Sequence, residues 1–443
     1  MIATAHSVLP DSARPTVALI FNVQTPYRLH LTRRLVSEVP GVRFASIFTH
    51  DQADQGWEKE HHDEINPIYF GSGQPVNELG QRKWLRRDWA KAGEIIAWLK
   101  QNDAKAVFIG GYHDATRIRV IAWCRLNKVP CYLVADSNSR GDLAQGLKAK
   151  IKKIVVTQVV RSVSGVMVCG RLGAEYFAKY GATGAQTFIS PYEPDYSLID
   201  QITEEESRAA CRRHALRPHR RRIVTCCRLI DVKRVDLVID AFSNIAAERP
   251  DFELVVIGSG PNMDALKARV PEPLKGRVIF TGFIGDQAEI SALYRASHVF
   301  ALASDYEPWG VVVNEAAAAG LAMVSSNVVG AAHELVKDGV NGRTFDKGNL
   351  AQLTTALLDA TDDRNLNRYR AASREVLADW RHKADPVDGM RLAMAAAGVP
   401  NSGWHGGVAT RIEASTSQRE AQTSTLSDST LGIDGQELGA TAA

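Results

Sequence analysis

Glu307-Pro308-Trp309-Gly310-Val311-Val312-Val313-Asn314-Glu315, followed by Ala316-Ala317-Ala318-Ala319-Gly320, is the stretch around which the chain is organised. An apolar run, Val299 to Ala303, leads into a loop that carries Glu307. Gly310 then opens a nearly all-apolar segment with helical composition, and such a helix must be buried. Glu315 falls inside that helix. The start of a helix presents N–H groups without intrahelical acceptors, which makes it a ready anion site. A carboxylate on either side suits a ligand with phosphate in its middle and hydroxyl groups at both ends, the layout of a nucleotide sugar. A solvated helix face is the plain alternative for two glutamates at this spacing, but the apolar, glycine-led residues between them argue against it.

The bulk numbers describe a soluble globular chain. Its 443 residues suggest two to three domains with large cores, at 45% hydrophobic and 23% charged residues. The net charge of +3 is too small to imply nucleic acid as a partner. Cys124, Cys131, Cys169, Cys211, Cys226 and Cys227 form no C-x2-C pair, so neither a zinc site nor a disulfide framework is indicated. They read as core thiols of a reducing compartment. No apolar stretch reaches the ~18 residues of a membrane span, and the N-terminal residues lack a signal-peptide core. The expected location is cytoplasmic.

Outward from the central stretch, short apolar runs alternate with amphipathic ones. Thr16–Val23, Val42–Phe48, Ala106–Ile109, Cys131–Ala135 and Gly165–Val168 read as strands, with helices at Arg28–Glu38 and along Trp84, Leu85, Trp89, Ala92, Ile96 and Leu99. The alternation restarts with strands at Ile223–Cys227, Glu253–Ile257, Val278–Phe280, Val299–Leu302, Met323–Ser325 and Arg343–Phe345. Such βαβ repetition predicts α/β architecture with two doubly wound Rossmann-like domains facing each other across a cleft. The expected organisation is a first domain over 15–191, a linker over 192–222 and a second domain over 223–378. A closing helix over 379–399 returns to the first domain, and a disordered tail occupies 400–443.

The central stretch resembles the E-x7-E motif of retaining glycosyltransferases of family 4, which have the GT-B fold. The resemblance continues through Gly320-Leu321-Ala322-Met323-Val324-Ser325-Ser326, Gly330-Ala331-Ala332-His333-Glu334-Leu335-Val336 and Asp338-Gly339-Val340-Asn341-Gly342. It implies that Glu307 binds donor-sugar hydroxyls, that Glu315 accepts from the ribose, and that amides of Trp309, Gly310 and Val311 meet sugar and phosphate. Arg228 and Lys233, just after a strand, would hold the donor diphosphate, Arg with its planar fork and Lys as a point charge. Solvated loop charges are the bland reading of the same two residues.

Gly258-Ser259-Gly260 also follows a strand, but position 263 is Met, so a dinucleotide fingerprint is incomplete. These glycines are expected to allow close backbone approach to a ligand. Phe283 and Ile284, in Thr281-Gly282-Phe283-Ile284, resemble the loop that borders the nucleotide base. In the first domain the family's Gly-Gly loop is replaced by Gln24-Thr25-Pro26-Tyr27-Arg28, and the run that matches its His is Val134-Ala135-Asp136-Ser137-Asn138-Ser139-Arg140. Asp136 is the substitute candidate, with His113 and Asp114 as a second pair. For each, a loop residue satisfied by local backbone remains open.

No D-x-D triplet occurs in the chain, so no metal and no cofactor are expected. The resemblance implies a hexosyltransferase that moves sugar from a nucleotide donor to a glycan or lipid-linked acceptor, in bacterial surface polysaccharide synthesis. Alternatives are a GT-B epimerase or phosphorylase, or a non-catalytic two-lobed binding protein. Two basic clusters, Arg82, Lys83, Arg86, Arg87 and Lys91 with Trp84 and Trp89, and Lys148, Lys150, Lys152 and Lys153, could contact an anionic membrane at its inner face. Solvated helix faces with the tryptophans in the core are the alternative.

Overall fold

The computed structural model describes residues 13–50, 65, 67–71, 84–142 and 145–403. The apolar runs assemble into two parallel sheets. The first contains β1 (Thr16–Phe21), β2 (Arg43–Phe48), β3 (Ile68–Tyr69), β4 (Ala106–Gly110), β5 (Cys131–Ala135), β6 (Gly165–Val168) and β7 (Thr187–Ile189), in the order β3-β2-β1-β4-β5-β6-β7. The second contains β8 (Arg221–Cys226), β9 (Phe252–Ile257), β10 (Val278–Gly282), β11 (Val299–Leu302), β12 (Ala322–Ser326) and β13 (Gly342–Phe345), in the order β10-β9-β8-β11-β12-β13. β1, β9 and β11 are buried along their whole length. Strands covered on both faces read as continuous apolar runs, which is why they show no alternation.

Helices fill both faces of each sheet. In the first lobe these are α1 (Pro26–Glu38), α2 (Leu85–Gln101), α3 (Ala115–Leu126), α4 (Gly146–Val160) and α5 (Arg171–Ala178). α6 (Tyr196–Asp200) and α7 (Glu204–Arg213) follow, then α8 (Val235–Ile245), α9 (Met263–Arg269), α10 (Gln287–Arg295), α11 (Val311–Ala318), α12 (Gly330–Leu335), α13 (Leu350–Ala360), α14 (Asp363–Lys383) and α15 (Pro386–Ala396). The two doubly wound sheets are the GT-B architecture.

Winding reverses between β1 and β4 in the first sheet and between β8 and β11 in the second. At such a reversal, neighbouring loops at the carboxyl ends diverge and leave a crevice for ligand. The crevice of the second sheet is therefore bounded by residues 227–233 and 303–310.

Several details differ from the sequence reading. β3 and β7 were absent from it, because strands of two and three residues carry no readable period. The stretch read as a linker carries two helices, α6 and α7. Thr203 and Glu206 form a capping box at the start of α7, and α6 packs on α10 and α11. Trp380 belongs to α14, which runs on to Lys383. The chain then breaks at Ala384, and Asp385 caps α15 by accepting from Val387 N–H at 2.8 Å. Pro386 sits in the first turn of α15, where its missing N–H costs nothing. α15 packs on α1 and β7, so the closing segment returns to the first sheet.

Both crossings between lobes meet at Glu193. Its buried carboxylate lies near Arg34 of α1 and Arg381 of α14. Burial pushes this carboxyl up to about 7, against the pull of both arginines. Of the irregular region Asp51–Gln81, positions 65 and 67–71 are described. Arg82, Lys83 and everything beyond 403 lie outside the described residues. Among the described residues no helix is long and apolar enough to cross a membrane.

Candidate active site

The crevice of the second sheet is closed by an ion pair between Lys233 and Glu307, one from each bounding loop. The Lys233 loop leaves β8 and closes in a short 3-10 turn, Asp231–Lys233. Arg234 follows in the left-handed region at φ +50°, and its guanidinium bonds Asp236 and Asp305, each at 3.1 Å. That clasp fixes the turn and leaves Lys233 directed at Glu307. Arg228 lies exposed in the same loop.

Gly310 takes φ +91° and forms the N-cap of α11, where a Cβ would stand 3.0 Å from Glu307 Cγ. Only glycine lets the loop turn into the helix while keeping the Glu307 side chain alongside. Val311 begins the helix half-buried. Glu315 lies buried on α11 and accepts from Gln287 Nε2 at 2.8 Å. Burial pushes its carboxyl up to about 7, with Tyr294 and Gln287 drawing it back. Phe283 is exposed after β10, and Ile284 packs partly on the core beneath it.

Gly258 and Gly260 each sit against another stretch of backbone. A Cβ at Gly258 would lie 2.0 Å from the Cys227 carbonyl oxygen, and one at Gly260 would lie 2.3 Å from that of Leu229. They permit a close approach of the chain to itself, pressing their turn against the loop of Arg228. Leu229 N–H donates to Ser259 O at 2.9 Å across this contact. Gly258→Ala, at φ +127°, is expected to cost about 2–5 kcal/mol through strain and overlap, read as a lowered melting temperature. A variant that melts like the parent would refute this role.

The Trp309 side chain has a structural task. Its indole turns away from the crevice: Nε1 donates to Tyr192 O at 2.8 Å, and the ring lies 6.1 Å from that of Trp380. It pins the donor-side loop to the crossing segments, leaving only its backbone near the crevice.

From the first lobe, half-buried Asp136 faces this site. Burial raises its pKa, Arg28 lowers it, and the Glu307 carboxylate opposes its ionisation. Arg28 lies over the rings of Phe21 and Tyr27 and donates to Val23 O at 2.9 Å. Of the second candidate pair, Asp114 is the N-cap of α3 and pairs with Arg117, a local structural role. His113 has its pKa lowered by burial and by Arg117, with Asp136 pulling the other way.

The residue that sequence reasoning missed is Asn138. Its Nδ2 donates across the cleft to the carbonyls of Glu307 at 2.9 Å, Pro308 at 3.0 Å and Val328 at 3.1 Å. Its Oδ1 accepts from Arg140 and Gly141 N–H groups at 3.1 and 2.6 Å. Nearby, Glu334 accepts from Arg171 N–H at 2.7 Å, and Arg140 donates to Asn327 O at 2.9 Å. A polar run directly after β5 gave the location, but a linear sequence does not say which side chain reaches the other lobe.

Two Rossmann-like lobes, with a cation–carboxylate pair at the switch point of the second and a buried helix opening beside it, define the GT-B class. The family model "Glycosyl transferases group 1" matches residues 208–375. That match lies within the second lobe, which is similar to the group 1 glycosyl transferases. It is 36% identical over 102 residues to mannosylfructose-phosphate synthase of Agrobacterium fabrum, covering 21% of this chain and 22% of that one. It is 34% identical over 168 residues to glycogen synthase of Mycobacterium tuberculosis, covering 36% and 40%. It is 30% identical over 184 residues to a GDP-mannose-dependent phosphatidylinositol monomannoside mannosyltransferase of Mycolicibacterium smegmatis, covering 39% and 47%. These alignments span less than half the length of each curated relative. Among solved structures, HepE of Anabaena in complex with UDP and glucose superposes with a TM-score of 0.66 at 16% identity, covering 87% of this chain and 99% of that one.

Proposed function

We propose that this protein is a retaining hexosyltransferase that uses a nucleotide sugar and a hydroxyl acceptor on a glycan or lipid-linked glycan, in bacterial surface polysaccharide synthesis. The observation that carries the reading is the Lys233–Glu307 pair at the switch point, beside the opening of α11. Donor binding exchanges this pair: the diphosphate takes Lys233 and Arg228, and sugar hydroxyls donate to Glu307. Phe283 and Ile284 border the base, and Glu315 accepts from the ribose. Asp136 meets the sugar from the first lobe, which holds the acceptor.

The acceptor oxygen attacks the anomeric carbon on the face the diphosphate leaves. The bond from that carbon to the phosphate oxygen breaks, and the acceptor proton passes to a diphosphate oxygen. Arg228, Lys233 and the amides at the start of α11 stabilise the charge that develops there. Fixed cations serve this purpose, so activity is expected to survive a chelator. The HepE complex with UDP and glucose and the sugar-transferring names of the relatives favour the donor class. The location consistent with such a donor is the cytoplasm, at the inner face of a membrane if the acceptor is lipid-linked.

The test is a panel of UDP-, GDP- and ADP-sugars in thermal-shift and transfer assays. One donor is expected to raise the melting temperature and to give product of unchanged anomeric configuration. An inverted product, or interconversion of the donor without acceptor, would overturn the proposal. Glu315 supplies a second check. Its folded pKa of about 7 exceeds the ordinary 4.5, so ionising it destabilises the ligand-free fold progressively as pH rises between those values. Ribose hydroxyls favour the ionised form, so donor binding should release a proton below about pH 7 and tighten as pH rises through it. Calorimetry in buffers of different ionisation enthalpy would show that release, and Glu315→Gln should abolish it.

A further inference from the structure

α4 turns an apolar face outward. Its core side is made by Val156, Val159 and Val160, all buried. On the opposite side Leu147 is 73%, Ile151 54%, Ile154 71% and Val155 42% exposed. At about 100° per residue, Leu147, Ile151 and Ile154 share an arc of roughly 60°. Lys148 and Lys150 flank that arc, Lys153 follows, and α4 contains no Asp or Glu. A surface helix of a soluble domain ordinarily shows the reverse arrangement, polar outward.

The placement adds to this. α4 begins just beyond the loop that carries Asp136 and Asn138, so it rises from the rim of the cleft on the acceptor side. α2 and α3 cover the same face of the first sheet. Their N-terminal ends reach the same carboxyl edge, and they expose Leu85, Trp89 and Ile118 there. Trp89 is outside the core, with the Arg119 guanidinium 4.5 Å above its ring.

We propose that this face docks on an anionic lipid bilayer, with the apolar arc of α4 entering the headgroup boundary and Lys148, Lys150 and Lys153 meeting lipid phosphates. Charge decides the occupant. A symmetric contact with a second copy would bring these lysines against their own equivalents, whereas an anionic surface complements them. The docking deepens the proposed use of a lipid-linked acceptor, since it sets the mouth of the cleft against the bilayer.

The experiment is cosedimentation of the full chain with vesicles of phosphatidylcholine containing roughly one-third phosphatidylglycerol, against phosphatidylcholine alone, at low salt. Binding to the anionic vesicles is expected. Lys148→Ala/Lys150→Ala/Lys153→Ala should weaken it on the order of a hundredfold, and Ile151→Glu/Ile154→Glu should abolish it. Because these side chains are exposed, melting temperature and transfer to a water-soluble acceptor should be unchanged in both variants. No binding by the parent chain, or equal binding by both variants, would overturn the proposal. So would a drop in the chain's mass by light scattering in the Glu variant, which would assign the face to a second copy. Docking without any sugar transfer would sink the enzymatic reading and leave the surface standing; transfer without docking would do the opposite.

Discussion

Lys233→Ala should lower kcat/KM by on the order of 10²–10³-fold, the scale on which a preorganised charge at a leaving group acts. Two effects combine. The departing diphosphate loses a cation, and Glu307, no longer paired, is left as an anion beside it. The second effect makes a specific signature. Glu307→Gln alone removes a sugar contact, and in the double variant Lys233→Ala/Glu307→Gln the repulsion is gone. The double loss should therefore be smaller than the product of the single losses. Steady-state kinetics on the four proteins measures this coupling. Losses that simply multiply would mean that the pair seen in the ligand-free protein plays no part in the reaction.

Asn138→Ala should lower kcat by about 10²-fold, the cost of misplacing a reacting group by about an ångström. Asn138 touches no reacting atom in this reading. It is a positioning residue, whose one amide binds the carbonyls of Glu307, Pro308 and Val328 from across the cleft. Its loss frees the loop that presents Glu307 and loosens the closed arrangement of the lobes. Binding of the nucleoside diphosphate, which rests on second-lobe groups, should stay within a few-fold of the parent. That split between intact nucleotide binding and reduced turnover separates positioning from simple destabilisation. Asn138→Asp should do no better than alanine, because a carboxylate offers three carbonyls no donor. A variant that keeps full turnover would end the assignment.

Much of the fold was legible because both sheets are buried on both faces. Runs such as Val299–Leu302 and Cys131–Ala135 stand out as apolar blocks, and their ends agree with the observed strands. The rule placing ligands at carboxyl ends of strands groups the loops of Arg228, Lys233 and Glu307, whereas Glu315 enters only through the family resemblance. What stayed hidden depends on contacts distant in sequence. Trp309 was legible as part of the motif, but not as a pin against Tyr192 and Trp380. The glycines at 258 and 260 announced tight approach without saying that the partner was Cys227 and Leu229. The bland reading of the tryptophan-rich helix placed Trp89 in the core; it lies outside, because α2 buries the face of Ala92, Ile95, Ile96 and Leu99 instead.

The packing of α15 on α1 and β7 means that the first lobe is assembled from two separate pieces of the gene product. Val387, Met390 and Met394 sit in the same core as Val17, Phe108 and Tyr132, although the whole of the other lobe intervenes between Ile189 and Pro386. Anyone grafting this lobe onto a different donor lobe must therefore transplant both pieces, since the N-terminal one by itself would leave that apolar surface uncovered.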